Sequence, residues 1–242
     1  MEKGIGYFML PYSFQDAFVL FLPKKLAMRS TFPLILIFLA VIGNLTAQNF
    51  SETEKQILIA GDTTTMFRVL INTNDLDTGV LGTVSRDIDP NDPLLPLLSR
   101  RMYLSMRDTA NPGVGIAAPQ VGINRNVLWI QRFDKSGSPF EFLINPRVLK
   151  ASLLSRKGGE GCLSVPDERG ELMRSYAILI KYQSFDGEWN TEMLEDFSAV
   201  IFQHEYDHLQ GILFPDRMRM QQNELALPLP EGVQLFIRPT LN

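Results

Sequence analysis

Only two histidines occur in the chain, His204 and His208, and they stand four residues apart in His204-Glu205-Tyr206-Asp207-His208. On an α-helix that spacing puts both imidazoles on one face, one turn apart, so they can converge on a single point. The residues just before them, Phe197, Ala199, Val200, Ile201 and Phe202, are apolar on every side of such a helix. This predicts a buried helix from about Glu195 to Leu209, stopped by Gly211. Two imidazoles and a carboxylate carried into a core need partners there, because buried polar groups without partners are costly.

The remaining chain must cover that helix. With 45% hydrophobic and 21% charged residues, its 242 residues have ordinary globular usage, which excludes disorder and collagen-like repeats. A net charge of −4 argues against a general nucleic-acid binder, so no nucleic-acid partner is expected. The lone Cys162 cannot form an intramolecular disulfide. Asp92-Pro93 is a helix start, and Leu95, Leu98, Met102 and Met106 follow at helical spacing to about Thr109. Residues 127–131, 142–145 and 177–182 read as strands, with hairpin turns at 134–137 and 186–187. Residues 61–92 read as loops with short extended pieces. The expected class is α+β: short, mainly antiparallel strands packed around a central buried helix that carries the HExxH motif.

Residues 32–43 form an uncharged apolar run, preceded by Lys24, Lys25 and Arg29 and followed by Thr46-Ala47. That pattern is a secretory signal, with cleavage after Ala47, although Leu45 is large for its place in the cleavage site. Met28 would give a tidier start. The run is short for a permanent span, which needs about 20 apolar residues; as an anchor it would bring the protein into contact with a membrane, and as a core helix it would be buried. The expected division is an N-terminal extension, 1–50, followed by a catalytic domain, 51–242.

His204 and His208 can both ligate one metal ion, at about 2.0–2.1 Å. Glu205, beside them, can take a proton from a water that a divalent cation has made acidic. A catalytic metal of this kind needs three protein ligands, and no third histidine exists. The candidates are Cys162 and a downstream carboxylate such as Glu224. Gly158-Gly159 before Cys162 and Val165-Pro166 after it mark an extended loop where backbone can approach a ligand, whereas Pro228 and Pro230 interrupt any helix presenting Glu224. This context favours Cys162. A third segment, Gly113 to Gln120, is rich in small residues but matches neither a dinucleotide fingerprint nor a phosphate loop. Its Gln120 offers an uncharged amide donor for a developing oxyanion.

Taken in order, GVGIAAPQ, EGCLS and QHEYDHLQG resemble the three signature motifs of peptide deformylases, and the similarity runs from about Asp92 to Met218. The resemblance implies hydrolysis of the N-formyl group from formyl-methionyl peptides, with release of formate. It implies one divalent metal held by Cys162, His204 and His208, commonly Fe²⁺ and replaceable by Ni²⁺, Co²⁺ or Zn²⁺. Glu205 matches the general acid/base, and Gln120 and the Leu163 backbone N–H match the oxyanion donors. The peptide would lie extended beside Gly115. Ile201, with Val200 and Phe197, would line a methionine pocket opposite Val114, and Arg169 matches a substrate contact of some relatives. Deformylases act in the cytoplasm or an organelle, whereas the N-terminal segment points to export or anchoring; export would favour zinc. Two other readings are an exported HExxH zinc peptidase with Glu224 as third ligand, and a catalytically silent formyl-peptide binding protein.

Overall fold

In the computed structural model, which describes residues 48–224, 226–229 and 235–238, the β-branched and aromatic runs become antiparallel strands. In chain order these are β1 (Gly115–Ala117), β2 (Val127–Gln131), β3 (Phe140–Ala151), β4 (Leu154–Cys162), β5 (Val165–Ser175), β6 (Ala177–Gln183), β7 (Trp189–Glu195), β8 (Leu227–Pro228) and β9 (Leu235–Ile237). One sheet has the order β1-β2-β3-β6-β7 and the other β5-β4-β9-β8. β2 and β6 alternate buried and less buried positions along most of their length, as expected of strands with one face on a core. Both expected hairpin turns are present, between β2 and β3 and between β6 and β7.

The helices are α1 (Glu52–Ile59), α2 (Asp75–Leu81), α3 (Leu95–Met106), α4 (Asp196–Leu209) and α5 (Phe214–Gln221). In α3 the predicted stripe Leu95, Leu98, Met102 and Met106 is fully buried. Its start differs slightly from expectation. Asp92 accepts the N–H of Leu94 and also that of Phe50, so the carboxylate ties the N-terminal segment to α3, and the helix begins at Leu95.

The region expected as loops contains α2, and α1 precedes it. Both are made by caps rather than by apolar periodicity. Ser51 and Glu54 form a reciprocal capping box on α1. Asn74 Oδ1 accepts the N–H groups of Leu76 and Asp77 at the start of α2.

α4 carries the histidine pair. Ala199, Ile201, Phe202 and Leu209 are buried against Leu128, Ile130, Leu143, Ile178 and Ile180 of the first sheet. Burying a side chain such as Phe202 contributes about 1.5–3 kcal/mol. Burial is not all-round, however: Phe197 is 40% exposed and Val200 is partly exposed, because both face a groove rather than a sheet. The chain leaves α4 through Gly211, whose φ is +71°. A Cβ there would stand 2.5 Å from the carbonyl oxygen of Gly82, so only glycine fits. No helix among the described residues is long and apolar enough to cross a membrane, and the apolar run 32–43 lies outside them.

Candidate active site

Cys162 is the last residue of β4, and Leu163-Ser164 make the tight turn into β5. That turn delivers the thiol to α4. Cys162 Sγ lies 3.2 Å from His208 Nε2, and one donor atom each of Cys162, His204 and His208 lie within 4.8 Å of one another. A sulfur and a ring nitrogen on one tetrahedral metal stand roughly 3.6 Å apart, which falls between those two figures. The residues therefore fit a metal ion. Glu224, the other candidate third ligand, is instead half-exposed beyond α5 and faces Arg238 at 3.6 Å. The glycines before Cys162 differ from expectation: they lie within β4, and a Cβ on Gly158 or Gly159 would meet only open space.

Glu205 is buried beside the pair, and its Oε2 has no hydrogen-bond partner among the described residues. Gly115, the first residue of β1, is small for a definite reason. A Cβ there would stand 2.5 Å from Glu205 Oε1 and 2.8 Å from its Cγ. Gln120 follows in a short 3-10 turn, Ala118–Val121, and is buried. Its Oε1 accepts the N–H of Ala117 at 2.8 Å, which fixes the amide orientation. The Nε2 then faces Ser164 Oγ at 3.2 Å and Cys162 Sγ at 3.6 Å. The site opens into a groove of about 840 Å³ whose lining includes Val114, Gly115, Leu163, Val200, Ile201 and Phe197. Arg169 lines it as well, with its guanidinium close over Gly161. Apart from Glu224, the candidate site residues thus lie together around this groove.

Residues 70–224 match the model of the polypeptide deformylase family. The chain belongs to this family. It is therefore a metal-dependent hydrolase that removes the N-formyl group from nascent peptides. It is 38% identical over 145 residues to peptide deformylase 2 of Shewanella oneidensis, covering 55% of this chain and 76% of that one. It is 36% identical over 162 residues to the peptide deformylase of Caulobacter sp. strain K31, covering 66% of this chain and 92% of the relative. Among solved structures, the Met-Ala-Ser-bound class I type b peptide deformylase of Acinetobacter baumannii superposes with a TM-score of 0.56 at 34% identity, over 63% of this chain and 98% of the other.

Within this deformylase a layer of charge behind the histidines was not foreseen from the sequence. His204 Nδ1 donates to Glu160 Oε2 at 2.8 Å, which leaves Nε2 turned toward Cys162, the side on which a cation would be held. Arg174 grips Glu160 with two hydrogen bonds of 2.7 and 2.9 Å and bonds Asp207 at 2.5 Å. Arg217 closes the row on Asp207. Burial pushes the Glu160 carboxyl up, but Arg174 and His204 overcome this and hold it at about 2. Burial likewise works against a charged His204, yet its bonds to Cys162 and Glu160 carry it well above the usual imidazole range. His208 goes the other way, pushed down by burial and by the charge of His204. Burial, with the nearby Glu160 charge, pushes Glu205 up to about 7 against the pull of His204. Glu160 stands two residues before Cys162 on β4, so strand alternation puts both on one face, a signal present in the sequence. Arg174 had none, since its approach depends on the β4–β5 register.

Proposed function

We propose that Cys162, His204 and His208 hold the metal, that Glu205 moves the proton, and that Gln120 and the Leu163 backbone N–H bind the oxygen of the formyl group as charge develops on it. The convergence of one sulfur and two ring nitrogens within 4.8 Å carries this reading. The donor set suits Fe²⁺, with Zn²⁺, Ni²⁺ or Co²⁺ as substitutes, since thiolate and imidazole favour borderline and softer cations. When bound, such a cation supplies Lewis acidity and a more acidic water. Glu205 takes a proton from the attacking water and gives it to the departing amine nitrogen; burial keeps its affinity for protons near neutrality, as both halves of that transfer require. Gln120 Nε2, held by the Ala117 contact, donates to the formyl oxygen without needing to reorganise. The formyl-methionyl side chain enters the groove between Val114 and Ile201, and its backbone lies along Gly115. The Met-Ala-Ser peptide bound by the A. baumannii enzyme supports a peptide ligand of this kind.

On this reading α4 is the centre of the domain, joining the apolar core on one side and the groove on the other. By sequence, residues 1–50 are a signal-like extension to the domain 51–242, although Phe50 already packs in the core of that domain; the mass of the mature protein tests the division. For the chemistry, the test is metal analysis together with formate release from formyl-Met peptides. Cys162→Ala should lose the metal and the activity together, and Glu205→Gln should keep the metal and lose activity by about 10²–10⁴. Metal retained by Cys162→Ala would refute the ligand assignment.

A further inference from the structure

The segment from Arg68 to Asn72 crosses the back of the site and bonds to both pieces of chain that bear the oxyanion donors. Leu70 N–H donates to the Gln120 carbonyl at 2.8 Å, and Asn72 N–H donates to the Ser164 carbonyl at 2.8 Å. Between them Ile71 N–H donates the other way, to Asp77 Oδ2 at 3.0 Å. Asp77 belongs to α2 and is 4% exposed. Its carboxylate also takes two parallel bonds from Arg68, both of 2.7 Å. Thr78 Oγ1 donates to the Asn72 carbonyl at 3.2 Å, and Asn74 caps the helix that carries Asp77 and Thr78. One buried carboxylate thus latches the middle and the start of a strap whose two alternate N–H groups reach across the site.

The strap joins two segments that also meet through α4, which packs on both. Gln120 follows β1 in the first sheet, whereas Leu163 and Ser164 lie in the β4–β5 turn of the second. Direct contact between them is the Gln120 side chain on Ser164 Oγ and Cys162 Sγ, at 3.2 and 3.6 Å. An oxyanion donor works only when its distance is held to a fraction of an ångström, and misplacement by about 1 Å can cost about 10²-fold in rate. Leu70, Gln120 and Ser164 are buried, so the carbonyls the strap bonds at the site are shielded from water, while Arg68 at its start is exposed.

We propose that the strap Arg68–Asn72, latched by Asp77, is a positioning element that sets the spacing of Gln120 and the Leu163–Ser164 turn and so acts on turnover rather than on substrate binding. The proposal rests on the oxyanion role assigned above to Gln120 and Leu163. It gives the stretch before Asp92, where no motif marks the sequence, a part in the reaction.

The test is a double-mutant cycle on the full-length, metal-loaded enzyme, with Asp77→Ala, Gln120→Ala and the pair. Arg68→Ala serves as the mild variant, since its side chain is 64% exposed and its loss opens no core. Asp77→Ala should lower kcat about 10-fold with KM changed less than about two-fold. Arg68→Ala should act in the same direction and less strongly. In the Gln120→Ala background, Asp77→Ala should lower kcat by no more than about three-fold, because one of the two groups it positions is already gone and only the Leu163–Ser164 turn remains. Hydrogen exchange should quicken at residues 118–121 and 162–165 in Arg68→Ala, with an unchanged thermal midpoint. A Gln120→Ala enzyme of normal kcat would overturn the oxyanion assignment, and the strap's role with it. An impaired Gln120→Ala enzyme with effects that simply multiply would overturn the strap alone, as would variants of lowered stability and normal kcat.

Discussion

A single hydrogen atom decides one of the sharpest constraints at the residue scale. Gly115 has no Cβ, and the Glu205 carboxylate occupies the place where one would go. Gly115→Ala should push that carboxylate away from the histidines, lowering kcat by about 10²-fold while metal content stays at the wild-type level. Formate-release kinetics alongside metal analysis checks this; full activity would mean that Glu205 shifts without consequence. Glu160 acts through another residue, holding the His204 ring by its far nitrogen. Glu160→Gln removes the charge but keeps the shape, so metal affinity should fall about 10–100-fold, read by competition with a chelator. The motif HEYDH and the lone thiol were legible because those residue types have few uses at that spacing. Arg174 was not, because it meets Glu160, fourteen residues away, only through hairpin pairing.

Among the elements, α1 depends on a residue distant in sequence. Arg101 of α3 is 4% exposed and donates to the carbonyls of Leu58 and Ile57 at the end of α1, at 2.7 and 3.2 Å, and to Thr65 at 2.8 Å. Its guanidinium also stacks 3.9 Å above the Phe67 ring. Those carbonyls are the ones a helix end leaves without internal partners. Arg101→Ala should cost about 3 kcal/mol in urea unfolding, with exchange protection lost first across α1. Neither α1 nor α2 showed an apolar period, since eight- and seven-residue helices are set by their caps and by distant partners. By contrast α3 and α4 announced themselves, because their buried stripes are long enough to repeat.

At the scale of the whole domain, a knot of charge ties the β2–β3 hairpin to β7. Arg132, 2% exposed, bonds Asp134, Glu141 and Glu192, while Lys135 joins Glu141 and Glu192. Burial raises the affinity of Glu192 for protons, but its bonds to Arg132, Lys135 and Tyr182 outweigh that and bring it down to about 2 from the ordinary 4.5. A carboxyl depressed on folding binds its proton more tightly in the unfolded chain. The stability it contributes is therefore complete above about pH 4.5 and is lost as pH falls through about 2. Glu192→Gln should remove about 1–2 kcal/mol at pH 7, partial exposure having screened the pairs, and should flatten the decline between pH 5 and pH 2. Urea unfolding across that range measures it; parallel curves for both proteins would refute it. Metal removal acts on the same scale, because a ligand bound only by the folded state stabilises it, so chelation should lower the thermal midpoint.

What the sequence determined alone was local: helical periods long enough to repeat, strand runs with turns between them, and a short catalogue of residues able to bind a metal and move a proton. These need no knowledge of distance, since backbone geometry sets the spacing of near neighbours. The tertiary structure decided what meets across long separations. It placed Cys162, and not Glu224, beside the histidine pair, set Arg174 behind Glu160, brought the strap before α2 against Gln120 and Ser164, and left Phe197 at a groove instead of in the core. Such contacts follow from sheet register and from the packing of one element on another, and residues far apart in the chain carry no local mark of the neighbour they will have.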